Sequence, residues 1–271
     1  MLLIDVGLHE SLRLINPGGE VVRRGRKVGR MTLPEQARRC PSCPAAGLCE
    51  AIVASPGAAA DRAGLDQRFF TIAAGQPIPN NERSTARALI LCSGWAFRYR
   101  MLPDGRRSIV RIVLPSQVVS AEAAFSGQSA PRLETPVKAL TDVRLCSYSA
   151  RDLRDRCLAT PPMMSLVLDR LIEEMRDAYD LAATLARRSA QGRIAFLVID
   201  TLKRLSPEGL AEGRRYSFPL RQQHIADAVG LTTVHVSRVL AQLRETGLMN
   251  VADGAVTFQD LPGCDRTAAR G

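Results

Sequence analysis

Residues 222–247 read QQHIADAVGLTTVHVSRVLAQLRETG, and this stretch identifies the C-terminal fold. Apolar residues recur at helical spacing on both sides of Gly230-Leu231. The pattern predicts a helix over 222–229, a tight turn, and a second helix from Thr232 or Thr233 to about Thr246. Two short β runs follow around Asp253-Gly254, which predicts a hairpin. Two helices and a hairpin in this order indicate a winged helix-turn-helix.

The second of these helices directs polar side chains outward. They are Thr233, His235, Ser237, Arg238 and Gln242. Arg238 is the best candidate for a base contact, because a planar guanidinium matches O6 and N7 of guanine. The formal net charge of +10, from 37 Lys and Arg against 27 Asp and Glu, also favours a polyanionic partner. We therefore predict binding to double-stranded DNA; an ordinary helix pair in a basic protein is the alternative.

A long helix is predicted upstream, over 161–190. Thr160 can cap it, and Pro161-Pro162 suit its first turn. Apolar residues then alternate at spacings of four and three, the pattern of a helix–helix seam. The seam comprises Met164, Leu168, Leu171, Met175, Ala178, Ala182 and Leu185. Like charges are expected to flank it, from Glu173, Glu174, Asp177 and Asp180. The pattern predicts a homodimer; a helix packed on its own domain is the alternative. Gln191-Gly192 is expected to separate it from a second helix over 193–205.

The segment between Phe69 and Val143 alternates short β runs with turn residues. Pro103-Asp104-Gly105, for example, separates two such runs, and Asp-Gly between apolar strands indicates a hairpin. Repeated short strands with glycine and proline between them predict a β-roll or jelly roll.

Three of the seven cysteines have the spacing C-x₂-C-x₅-C, at Cys40, Cys43 and Cys49. Clustered thiols without an export signal favour a metal centre over disulfides. Zinc and iron–sulfur clusters normally need four ligands. Spacing leaves the fourth open among the remaining cysteines, Cys92, Cys146, Cys157 and Cys264. Unligated or redox-active thiols are the alternative.

This order of cysteine loop, β-roll, long helix and winged helix-turn-helix resembles the CRP/FNR family of transcription regulators, in its iron–sulfur (FNR) branch. The likeness spans about residues 40–260. Residues 139–146, ALTDVRLC, resemble the family segment that ends in the fourth cysteine, and Ser237-Arg238 match its recognition helix in register. Val234, however, stands where this branch usually has a base-reading glutamate.

The resemblance implies a [4Fe–4S] cluster held by Cys40, Cys43, Cys49 and Cys146. It also implies a homodimer on a pseudo-palindromic operator, a contact with RNA polymerase, and a response to oxygen or nitric oxide. Regulators with zinc-bound or thiol-switch cysteines are the alternative. Nucleotide effectors are not expected, because residues 121–133 lack the acidic–Arg–Ser arrangement of cAMP-binding members.

We therefore expect an α+β protein with four parts: a flexible arm over 1–39, a cysteine loop and cyclic-nucleotide-binding-like β-roll sensor domain over 40–160, a dimerisation helix over 161–190, and a winged helix-turn-helix domain over 191–271. No apolar run approaches the roughly 20 residues that cross a bilayer, and no signal peptide is recognised, so a cytoplasmic protein is expected. Glycine-rich phosphate loops and His–carboxylate clusters are absent from the sequence, which argues against an enzyme. A redox carrier and a non-DNA adaptor remain as other classes.

Overall fold

The computed structural model describes residues 14–15, 21–22, 67–79, 87–120, 125, 135–206 and 214–269. Residues 1–31 form a unit of their own, in which β1 (Leu14–Ile15) pairs antiparallel with β2 (Val21–Val22). The predictions for the rest of the N-terminal arm and for Cys40, Cys43 and Cys49 lie outside the described residues.

Eight strands of the second unit form two four-stranded antiparallel sheets. The strands are β3 (Arg68–Ile72), β4 (Pro77–Ile78), β5 (Arg87–Ser93), β6 (Ala96–Met101), β7 (Arg107–Val113), β8 (Val118–Ser120), β9 (Val137–Ala139) and β10 (Val143–Ser149). Their orders are β3-β10-β5-β8 and β4-β9-β6-β7. Side chains from both sheets share one buried cluster, including Leu91 and Leu145 from the first sheet and Val113 and Val137 from the second. The predicted β-roll is confirmed.

Strand β10 has a different environment on each face. Val143 and Leu145 point between the two sheets, whereas Cys146 and Tyr148 point the other way, as the two-residue period of a strand requires. Helix α1 (Ala150–Ala159) covers that second face and begins directly after the strand. The Ser149 hydroxyl caps it by accepting from the Asp152 N–H at 3.3 Å.

The long predicted helix is α2 (Pro161–Arg187). Thr160 occupies its N-cap position, but its hydroxyl has no hydrogen-bond partner within the described residues. Pro161 and Pro162 have no backbone N–H to donate in the first turn. The first N–H of the helix, that of Met163, donates to the Thr160 carbonyl at 2.9 Å rather than to the Thr160 hydroxyl. The cap prediction was therefore wrong for the side chain. Nowhere in the described ranges is a helix both long and apolar enough to cross a membrane.

Helix α3 (Ala190–Leu205) begins earlier than expected. The Ser189 hydroxyl accepts from the Gly192 N–H at 3.2 Å and caps the helix, so the break falls at Arg188-Ser189. Gln191 and Gly192 lie inside the first turn, and the predicted interruption at these residues was wrong. Gly192 is buried in this turn, at a position where neighbouring elements pack closely against the helix.

The C-terminal part contains β11 (Arg215–Ser217), α4 (Gln222–Val229), α5 (Thr233–Glu245), β12 (Met249–Ala252), β13 (Ala255–Phe258) and α6 (Leu261–Ala269). The three strands form one sheet in the order β11-β13-β12. The winged helix-turn-helix is thus confirmed. Helix α6 was not predicted, although the Asp260 carboxylate caps it through the Gly263 N–H at 2.9 Å.

Candidate nucleic-acid interface

The turn between α4 and α5 fixes the angle at which α5 is presented. Gly230 adopts a left-handed conformation, with φ at 66°, that side chains disfavour. The Thr232 hydroxyl then accepts from the His235 N–H at 3.2 Å and begins α5. Val236, Val239 and Leu243 anchor the inner face of α5 in the domain core. The outer face is thereby held rigidly toward solvent.

The five predicted DNA contacts occupy that helix as follows. His235, Ser237, Arg238 and Gln242 are exposed, and Thr233 is half-buried. Gln242 Oε1 also accepts from Gln191 Nε2 at 3.2 Å, which ties its side chain to α3. Ser237 and Arg238 form an exposed pair of polar side chains in the first half of α5, the part of the helix that contacts base edges in this fold.

One exposed apolar side chain was noted in the sequence only as a departure from the family pattern. Val234 is 68% exposed and lies beside Ser237 and Arg238 on the outer face. Together with Gln222 these side chains line a shallow, open depression. The sequence could place Val234 on the helix, but only the packing of α5 shows that this side chain faces away from the core.

The predicted seam runs along the solvent side of α2. Leu168, Leu171, Met175, Ala178 and Ala182 are exposed in the single chain, and Met164 and Leu185 are half-buried. Ile172 and Tyr179 are exposed on the same helix and widen the apolar surface. A surface of this kind is uncommon on a monomer and typical of an interaction site.

Next to this seam, α2 carries a network of three arginines and three carboxylates around a cavity of about 170 Å³, which Ala178 of the seam also lines. The closest pairs are Arg111 Nη1–Asp177 Oδ2 at 3.0 Å, Arg204 Nη1–Asp200 Oδ2 at 3.0 Å and Arg98 Nη2–Glu174 Oε1 at 3.8 Å. Burial lowers the pKa of Arg111 and raises the pKa of Asp200. The network joins the β-roll, α2 and α3.

This network changes one expectation for the seam. Glu174 and Asp177 face the β-roll, where Arg98 and Arg111 compensate their charges. The like-charge repulsion expected beside the seam is therefore wrong for these two residues, because a paired charge facing inward contributes little across an interface. The sequence could not show this, since the arginine partners come from distant strands.

Three of the four candidates for the fourth metal ligand share one buried cluster. Cys92, Cys146 and Cys157 lie there with Tyr148 and Met163, between the sheet of β10 and the helices α1 and α2. Cys264 lies apart, on α6, and donates to the Leu248 carbonyl at 3.3 Å. Burial, with a smaller effect of Asp260, raises the pKa of Cys264 to about 11. Burial also raises the pKa of Cys157.

Cys146 differs from its neighbours in one respect. Its Sγ accepts a hydrogen bond from Gln67 Nε2 at 3.1 Å. Gln67 is the first residue of the described β-roll, so this amide lies where the chain arrives from the segment that holds Cys40, Cys43 and Cys49. The same Nε2 donates to the Tyr148 hydroxyl at 2.8 Å. Sequence reasoning gave no signal for Gln67.

The β-roll and the helix-turn-helix also touch directly. The Arg107 guanidinium donates through Nε to Asp227 Oδ2 at 2.8 Å and lies 4.8 Å over the centre of the Phe97 ring. The Phe97 ring in turn lies 5.6 Å from His224, on α4. Burial, and next the charge of Arg107, lower the pKa of His224. The packing of α4 thus favours a neutral imidazole.

Comparison with known proteins agrees with this architecture. A model of the Crp-like helix-turn-helix domain matches residues 181–263, and a model of the cyclic nucleotide-binding domain matches residues 70–159. The transcriptional activatory protein AadR of Rhodopseudomonas palustris is 30% identical over 183 residues, which cover 66% of this chain and 72% of AadR. The chain belongs to the CRP/FNR family of transcription regulators.

This CRP/FNR regulator has other relatives. The nitrogen fixation regulation protein FixK of Bradyrhizobium diazoefficiens is 26% identical over 203 residues, or 74% of this chain and 82% of FixK. The solved structure of FixK2 from Bradyrhizobium japonicum superposes with a TM-score of 0.65 at 22% identity, over 76% of this chain and 98% of that one. The family consists of DNA-binding transcription regulators rather than enzymes.

The matched β-roll domain is named for cyclic nucleotides, ligands that carry an anionic phosphate. In this regulator the cavity contains the carboxylates of Glu174, Asp177 and Asp200, each near an arginine. An anionic phosphate would have to displace these carboxylates from their arginine partners. The charges that line this cavity therefore do not favour an anionic ligand there.

Proposed function

We propose that this regulator binds a pseudo-palindromic operator as a homodimer in the cytoplasm and responds to oxygen, with nitric oxide as a second candidate signal. In this proposal Cys40, Cys43, Cys49 and Cys146 hold a [4Fe–4S] cluster. The observation that carries the DNA-binding part is the exposed outer face of α5, whose opposite face is locked into the domain core.

The homodimer is supported by the apolar surface of α2. Its exposed leucines, isoleucine and methionine would be removed from water if two copies of the helix paired along the seam. A twofold pair would also place two α5 helices about 34 Å apart, one turn of the DNA helix. Two half-sites could then be read together, which explains why dimerisation would control DNA binding.

Arg238 is the residue proposed to read guanine. We expect Arg238→Ala to weaken binding to a selected operator by about 1–3 kcal/mol and to relax one base position in each half-site. Arg244, also exposed on α5 but in its last turn, provides the matched control. Arg244→Ala should weaken binding to all duplexes alike. An equal loss on specific and non-specific DNA for Arg238→Ala would make it a phosphate contact.

The chemistry of Cys146 fits a cluster ligand. Thiolates are the usual ligands of iron–sulfur clusters, and Cys146 presents a sulfur where the N-terminal segment enters the β-roll, next to Gln67. Among the residues that the structure describes, no group of three or more His, Cys, Asp or Glu is placed to hold a metal, so the proposed site needs the three cysteines upstream. A bound cluster would supply a centre that dioxygen oxidises.

The contacts of Cys146 support a coupling to the dimer helix. Cys146 and Met163 belong to the same buried cluster, and Met163 lies in the first turn of α2. Tight interiors transmit displacements, so the position of the Cys146 sulfur affects the start of α2. The β-roll would thus hold α2 in one position when all four thiolates are engaged and in another when they are free.

Anaerobic purification tests the proposed cofactor. We expect a brown protein with about four iron and four sulfide per chain. Cys146→Ser should lose the iron, whereas Cys92→Ser, a change in the same buried cluster, should retain it. Stoichiometric zinc or a colourless, metal-free protein would instead support structural zinc or a thiol switch. Iron in Cys146→Ser but not in Cys92→Ser would assign the fourth ligand to Cys92.

The hairpin between β6 and β7 is our candidate for contact with RNA polymerase. Met101 and Leu102 are exposed at this turn, at 58% and 40%. A double variant with serine at both positions should keep its affinity for the operator and lose its effect on transcription in vitro. Unchanged transcription would remove the hairpin from the proposal.

A further inference from the structure

Val234 is the most exposed large apolar side chain in the described part of the chain, at 68%. Within the described residues 190–206 and 214–269 no other large apolar side chain is exposed. A β-branched residue is also a weaker helix former than alanine or the long straight-chain residues. An exposed valine at position 234 therefore does not stabilise α5, and an apolar side chain in water does not improve solubility. At this exposure, about two thirds of the side chain is left uncovered by the described residues.

The neighbours of Val234 place it in the reading surface. Ser237 and Arg238 follow at three and four residues, so all three lie on one face of α5 near its start. Gln222, the first residue of α4, borders the same depression. When α5 enters a major groove, this face meets the edges of the bases rather than the phosphates.

The major groove offers one prominent apolar group, the 5-methyl group of thymine. Valine has no hydrogen-bonding group, so it cannot distinguish bases by their donors and acceptors, but its methyl groups can pack against that of thymine. We propose that Val234 is a specificity-determining residue that contacts the 5-methyl group of one thymine in each half-site. This inference rests on the proposed docking of α5 in the major groove.

The geometry of α5 also locates this thymine. Four residues of α-helix rise about 6 Å, and successive base pairs are about 3.4 Å apart. A thymine under Val234 therefore lies one or two base pairs from the guanine proposed to bind Arg238. The operator should contain this pair of bases at a fixed spacing in both half-sites.

Deoxyuridine provides the direct test, because it differs from thymidine only by the missing methyl group. The full-length protein is first used to select its operator from random duplexes, and each half-site thymine is then replaced by deoxyuridine in turn. Removing one buried methyl group should weaken binding about fourfold at one position, and about 15-fold when both half-sites are changed. Replacement elsewhere should have no such effect.

Variants identify the side chain responsible. Val234→Ala keeps one methyl group but shortens the side chain, so it should lose most of the preference for thymine over deoxyuridine. Arg238→Ala should bind more weakly but keep the full preference for thymine. Val234→Glu introduces an acceptor and should shift the preferred base at this position away from thymine, toward one with an exocyclic amino group.

Two results would overturn the inference. One is equal binding of the wild type to every deoxyuridine operator, and the other is an unchanged thymine preference in Val234→Ala. Either outcome leaves DNA binding itself intact. Failure to select any sequence would instead contradict the proposed function, so the two are separable.

Discussion

Leu168→Ala tests whether α2 forms the homodimer interface. Leu168 is 49% exposed in the single chain, and replacing it by alanine removes three carbon atoms. Each buried CH₂ contributes about 0.8 kcal/mol, or about 2.4 kcal/mol for three. If pairing buries only the half that is exposed, each protomer loses about 1.2 kcal/mol and the dimer about 2.4 kcal/mol, since both copies change. The dimer Kd should then rise about 50-fold.

Sedimentation equilibrium over a series of protein concentrations measures this Kd, with the protein kept anaerobic throughout. Leu158→Ala is the matched control: Leu158 is 66% exposed on α1, outside the seam, and its replacement should leave the Kd unchanged. An unchanged Kd for Leu168→Ala, an equal rise for both variants, or a wild type that stays monomeric at every concentration would refute the reasoning.

Three further predictions concern stability. Burial lowers the pKa of His224 below its usual 6.5. The contribution of the neutral imidazole to the free energy of unfolding should therefore be complete above pH 6.5 and decline as the pH falls toward the lowered pKa. His224→Gln should flatten this decline, measured by urea titrations from about pH 7.5 to 5.5. Arg111→Met leaves Asp177 without its 3.0 Å partner and should cost about 3–5 kcal/mol in the same assay, whereas Arg106→Met, at an exposed pair, should change nothing measurable. Gly94→Ala should cost about 2 kcal/mol or more in thermal unfolding, because φ is +83° and the new Cβ would overlap the Asp142 carbonyl oxygen.

The two helices of the helix-turn-helix and the hairpin after them could be predicted almost to the residue because local signals fix them. Gly230 ends α4, Gly247 follows α5, and Asp253-Gly254 turns the hairpin; each acts within a few residues. The predicted start of α3 was wrong because glycine often marks a break, whereas here the Ser189 hydroxyl caps the helix and Gly192 lies in its first turn. Helix α6 was not predicted, although Asp260 can cap a helix and Pro262 suits a first turn.

Contacts between distant segments could not be predicted from the sequence. Nothing in the spacing pairs Arg111 with Asp177, or Gln67 with Cys146, because strand register and helix rotation bring them together only in the fold. The seam on α2 was readable from its period, but the direction in which Glu174 points was not. Local chemistry therefore predicts the elements, and tertiary packing decides which charges and sulfurs meet.

The contact between the β-roll and the helix-turn-helix has a practical consequence for protein engineering. Trp95 meets Phe218 edge to face at 6.1 Å, and one hydrophobic cluster contains Ile109 from the roll together with Ile225 from α4. A separately expressed C-terminal fragment would uncover this aromatic surface and tend to aggregate. A chimaera that joins a foreign sensor to this DNA-binding domain would need, in the foreign sensor, side chains that replace Trp95, Phe97 and Ile109, because these residues pack against the C-terminal domain.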